Sequence, residues 1–149
     1  MSFNYTLALT AVLSAEDALN LLGHQPNFNP PAGHSVVGPG LVVDIRPADQ
    51  EDKEFALEHE GFEPDLSVYM SRKRGNEDDL LEVDNVIRTT MILLHHCTGN
   101  AVLRANDALW VRLRDNTLLI NSKGAFWREL QGLLPLVTLP YHAVPLPDD

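Results

Sequence analysis

Tyr5, Leu7 and Leu9 alternate with Asn4, Thr6 and Ala8, the period-two pattern of a half-buried strand over Asn4 to Thr10. Ser14 then precedes Ala15-Glu16-Asp17, a serine N-cap with acids in the first turn, which predicts a short helix ending near Gly23. In the next segment Pro26, Pro30, Pro31 and Pro39 fix φ while Gly33, Gly38 and Gly40 free it, so a long loop is expected. Leu41, Val43 and Ile45 share one face of a second strand, and Leu66, Val68 and Met70 share one face of a third. The acidic stretch between them reads as a connection projecting from the sheet edge.

The strongest periodicity follows. Asn76 is placed to cap a helix whose positive end carries Glu77, Asp78 and Asp79; Leu80, Val83, Ile87, Met91 and Leu94 form its apolar stripe, and Gly99 ends it. Ala101 to Ala105 reads as a strand. Leu109, Val111 and Leu113 alternate with Trp110, Arg112 and Arg114, and an Asp115-Asn116 turn returns the chain through Leu118 and Ile120 as a meander. Phe126 to Leu133 suits a short helix, and Tyr141 to Val144 an edge strand closed by Pro145 and Pro147. Together these elements predict an α+β fold: a largely antiparallel sheet of six to seven strands with two main helices packed on one face.

Composition narrows the picture. The chain has 149 residues, of which 44% are apolar, enough for one core, so a single domain over 1–149 is expected. Cys97 is the one cysteine and can form no intrachain disulfide; the first residues lack the basic and apolar blocks of a signal peptide, and no apolar run approaches the roughly 20 residues that cross a bilayer. A cytoplasmic location is the expectation. Twenty-one acids against eleven bases give a formal charge of −10, which repels phosphate backbones and anionic lipid and argues against a nucleic-acid or membrane partner.

The acid is concentrated. Asp49, Glu51, Asp52, Glu54, Glu58, Glu60, Glu63 and Asp65 crowd one stretch, and Glu77, Asp78, Asp79, Glu82 and Asp84 follow. Such runs are ordinarily solvated faces; the sharper reading is a landing site for a basic partner, with Glu51, Asp52, Glu54, Glu58, Glu60, Glu63, Asp65, Glu77 and Asp78 as its contacts. Trp110 joins them as a candidate, because strand parity puts it outside, beside Arg112 and Arg114, in the composition of an interface hot spot. A covering helix accounts for Trp110 equally well. Arg72-Lys73-Arg74 reads as an offset to neighbouring acids rather than as a phosphate site.

Catalytic signatures are missing. The sequence has no phosphate-binding glycine loop, dinucleotide fingerprint, nucleophile elbow or H-E-x-x-H helix. His95-His96-Cys97 has metal-ligating chemistry, but consecutive helical side chains point about 100° apart and do not converge on one ion. Imidazoles at a helix C-terminus and a small buried thiol explain the cluster. No catalytic, cofactor or metal residue is assigned, and the expectation is a binding protein. A small acidic adaptor or regulatory module is the first alternative; a metal-dependent enzyme using His95, Cys97 and carboxylates gathered by the fold is the second.

Several segments carry a resemblance. Tyr5-Thr6-Leu7-Ala8-Leu9, Gly40-Leu41-Val42-Val43, Glu60-Gly61-Phe62-Glu63-Pro64 with Ser67-Val68, and Val86-Ile87-Arg88 before Leu93-Leu94 come first. Gly99-Asn100-Ala101-Val102-Leu103, Trp110 with Arg112, Leu118-Leu119-Ile120-Asn121, Trp127 and Pro140-Tyr141 follow in order. In that succession the chain resembles the Sit-type (swarming-inhibition toxin) immunity proteins. Asn100 replaces an expected acid, and the Asn27 to Gly40 loop and proline-rich tail are particular to this chain. The resemblance implies an immunity protein that binds and neutralises a cognate bacterial toxin by protein-protein contact, and it brings no catalytic residues. A toxin that acts on nucleic acid tends to be basic, which the acidic balance suits.

Overall fold

A computed structural model describes residues 4–123 and 131–146. Eight strands form one sheet: β1 (Tyr5–Ala11), β2 (Ser35–Gly38), β3 (Leu41–Pro47), β4 (Leu66–Arg72), β5 (Cys97–Ala105), β6 (Ala108–Arg114), β7 (Thr117–Asn121) and β8 (Tyr141–Val144). Their order is β2-β3-β4-β1-β5-β6-β7-β8, antiparallel throughout except for the parallel pair β7 and β8. Helices α1 (Ala15–Gly23), α2 (Gln50–Glu60) and α3 (Asp79–Leu94) and a 3-10 helix (Gln131–Leu136) complete the described elements. The α+β class and the antiparallel meander agree with the sequence pattern. Among the described residues no helix is long and apolar enough to cross a membrane.

The side-chain alternation of β1 organises the core. Tyr5, Leu7 and Leu9 are buried, with Met70, Val68 and Leu66 opposite them on β4 and Ala105, Leu103 and Ala101 opposite them on β5. Leu41, Val43 and Ile45 extend this apolar face to β3, and α1 and α3 cover it with Ala18, Leu19, Leu22, Val83, Ile87, Met91 and Leu94. The Ser14 hydroxyl accepts from the Asp17 amide at 3.1 Å, which fixes the start of α1.

Four details differ from expectation. First, α3 starts two residues later than the polar pattern suggests. Asp78 is its cap, its Oδ1 accepting from the amides of Leu80 and Leu81 at 3.0 and 3.1 Å, while Asn76 accepts from the Asp78 amide in the turn before it. Leu80 stays on the surface, and the helix ends at Leu94, well short of Gly99. Second, the expected loop from Pro26 to Gly40 contains β2, paired with β3 through a Pro39-Gly40 turn in which Gly40 has φ +70°. Four residues between prolines and glycines are too short to show a period. Third, the expected helix from Phe126 to Leu133 falls largely outside the described residues, and Gln131–Leu136 is 3-10 helix.

The fourth difference matters most for function. The acidic stretch is not a connection projecting from an edge; it contains α2, which lies on the face of the sheet opposite α1 and α3. Asp49 caps it, accepting from the Asp52 amide at 2.8 Å, and Gly61 at φ +80° closes it with bonds to the carbonyls of Ala56 and Leu57. The helices therefore occupy both faces, not one.

Candidate functional site

Only Ala56 and Glu60 of α2 are buried, so apolar packing alone does not hold this helix. Polar anchors at its two ends do the rest. Near the start, the Asp52 carboxylate accepts from the hydroxyls of Ser67 at 2.8 Å and Tyr69 at 2.6 Å, both on the outward face of β4. At the end, Glu60 meets three arginines. Arg112 donates to both carboxylate oxygens at 2.7 Å in a bidentate fork, Arg104 donates to Oε2 at 3.1 Å, and Arg114 donates to the Glu60 carbonyl at 2.8 Å. That last bond satisfies a helix-terminal carbonyl, and the guanidinium cluster offsets the unfavourable placement of a carboxylate at a helix C-terminus.

Tyr69 responds to its place. Burial and the hydrogen bond to Asp52 push its phenol up to about 12. What this contact adds to folding is therefore complete below the ordinary phenol value near 10 and is lost as pH rises toward 12. Following tyrosine ionisation by ultraviolet absorbance in wild type and in Tyr69→Phe should assign to Tyr69 a step near 12, and Asp52→Asn should move that step down. A Tyr69 step near 10 would show that neither its burial nor the bond to Asp52 persists in solution.

A second buried carboxylate sits on the opposite face. Glu82 accepts from the Tyr5 hydroxyl and from Arg72 Nε, each at 2.7 Å, and Arg72 also pairs with Asp79. Burial and Glu82 raise the Tyr5 phenol well above its usual range. Arg72 thus offsets neighbouring acids, as its sequence context implies.

The candidate partner-binding residues separate into different environments. Glu51, Glu54, Glu58, Glu63 and Asp65 are exposed, Asp52 is half-buried, and Glu60 is buried in its arginine clamp. Glu77 and Asp78 are exposed at the start of α3, whose body packs on the other face of the sheet. The two acidic groups are thus not one continuous patch. Trp110 is 6% exposed and meets Tyr5 edge-on, ring centroids 5.5 Å apart. Strand parity fails here because the β5–β6 register slips between Leu103 and Arg104, leaving Trp110 as the extra residue of a bulge. The tryptophan therefore turns into the core with Val111, while Arg112 keeps the outward face.

His95-His96-Cys97 lies at the exit from α3, not within it. His95 Nε2 is 3.0 Å from the Thr138 hydroxyl, and the Cys97 thiol donates to the Asn100 carbonyl at 3.2 Å. Among the described residues no three His, Cys, Asp or Glu side chains gather closely enough to hold a metal ion.

Clefts open on both faces of the sheet among the described residues. One, of about 690 Å³, runs between α3 and the Gln25–Phe28 turn and is lined mainly by apolar groups such as Phe28, Leu81 and Ile92. The other, of about 390 Å³, lies between α2 and the sheet, floored by Thr6 and Ala8 and walled by Asp52, Phe55, Tyr69 and Asp107. Phe55, half exposed, carries the Arg104 guanidinium 5.7 Å from its ring centre. Sequence reading missed this groove because its parts come from four separate segments.

A family model described as SitI3-like matches residues 3–131. The chain belongs to the SitI3-like family. This places it among the Sit-type immunity proteins, in agreement with the resemblance in its sequence. The matched span of this SitI3-like protein runs from β1 through the meander and includes α2 with its groove, whereas β8 and the proline-rich tail lie beyond it. No curated protein and no solved structure matches the chain.

Proposed function

We propose that this SitI3-like protein is an immunity protein that binds a cognate bacterial toxin and blocks it by direct contact, without chemistry of its own. The family match over residues 3–131 carries this reading. Charge supports it: a formal −10, with five acids against Lys53 on α2, attracts a basic partner from a distance and speeds encounter. The exposed α2 residues Glu51, Glu54 and Glu58 and the neighbouring Glu63 and Asp65 are the proposed first contacts. The same reading includes a cytoplasmic site of action.

Co-expression with the protein encoded beside it tests the proposal. Growth should be restored and the two chains should co-purify, with an association rate that falls as salt rises. No rescue and no complex would favour an acidic adaptor instead, and a salt-independent rate would remove the electrostatic part of the reading.

A further inference from the structure

We propose that the groove between α2 and the sheet receives one basic side chain, arginine or lysine, projected by the partner polypeptide. This rests on the reading above and adds where contact is made and by what chemistry.

Shape is the first argument. Tyr69, Thr6 and Arg104 stand in register on adjacent strands β4, β1 and β5, so Tyr69 and Arg104 are two strand spacings apart, roughly 10 Å. The residue between them is a threonine, with Ala8 beside it on the same strand face, and α2 bridges above; the result is the 390 Å³ cleft. That volume is at the lower end for ligand sites and suits a single long side chain rather than a helix.

Chemistry is the second. The walls pair aromatic surface with carboxylate: Tyr69 and the part of Phe55 left uncovered by His59, whose ring centre lies 4.3 Å away, and by Arg104 offer area to an aliphatic stem, and Asp52 and Asp107 offer acceptors to a cationic head. Among the described residues, the bonds that the Asp52 side chain accepts from Ser67 and Tyr69 both fall on Oδ2, which turns Oδ1 to a ligand. Phe55 holds the Arg104 guanidinium, whose charge Glu60 offsets, so the carboxylates rather than this ring receive the incoming cationic head. An anion is disfavoured, because at the arginine end it would have to displace Glu60 from Arg104 and Arg112. Outside the groove, the acids of α2 set a field that draws cations toward it.

The test uses the full-length protein and a capped hexa-arginine peptide, followed by amide NMR. Shifts should concentrate at Thr6, Phe55, Tyr69 and Asp107. Phe55→Ala and Asp107→Asn, both at exposed positions, should each weaken binding about threefold, with the melting temperature unchanged in Asp107→Asn. Glu77→Gln removes the same charge on the other acidic group and should leave affinity as it is. Shifts spread over the acidic surface, or equal weakening by Glu77→Gln and Asp107→Asn, would overturn the groove as the site. The product of the adjacent open reading frame, used as a second probe, separates the two proposals. Binding that survives Phe55→Ala and Asp107→Asn unchanged overturns the groove and leaves the immunity function standing; failure of the wild type to bind counts against the function, while the peptide still decides the groove.

Discussion

Replacing Glu60 with alanine should cost about 3–5 kcal/mol of stability, a large share of what a chain of this size has to lose. The reason is what remains behind. Arg104 and Arg112 are almost wholly covered, at 8% and 12% side-chain exposure, and without the carboxylate two desolvated cations face each other under α2. Like charges in that setting repel, and the arginines recover hydration only if the helix lifts away. Glu60→Gln keeps an acceptor for the fork but removes the charge, so a smaller loss is expected. Urea unfolding of both variants measures the difference, and a loss below about 1 kcal/mol for alanine would mean that water already reaches the cluster.

Trp110→Ala should cost a similar amount, about 3–5 kcal/mol, because truncating a buried indole removes its transfer energy and leaves a cavity beside Tyr5. This outcome separates two roles for the residue. A surface hot spot would lose partner affinity with the fold intact; a core residue loses melting temperature first. Trp110→Phe retains ring packing and should recover most of the stability. An alanine variant that melts like wild type would place the indole outside the core and contradict the bulge.

Where burial follows a simple period, the sequence shows the fold. Tyr5, Leu7 and Leu9 mark β1 by alternation, Leu41, Val43 and Ile45 mark β3, and the adjacent Asp115 and Asn116, both at positive φ, mark the β6–β7 hairpin. Reading failed where stability comes from something other than apolar area. In α2 the residues Phe55, Ala56 and Leu57 stand in succession amid charge, so no stripe exists to find. Its boundaries were nonetheless legible: Asp49 with Glu51 and Asp52 is a helix start, and Gly61 a stop. The groove was less visible still, since Thr6 and Ala8 become a floor only when β4, β1 and β5 align. Trp110 was misplaced by one inserted residue, and no local pattern announces a bulge.

Because α2 is fastened chiefly through Asp52, Ala56 and Glu60, with Phe55 packed on Arg104, its outermost positions carry little of the fold. Glu51, Glu54, Leu57 and Glu58 can change in size, polarity or sign with little effect on folding. The helix is in effect a replaceable keyboard on a fixed frame: new keys can be fitted without rebuilding the instrument.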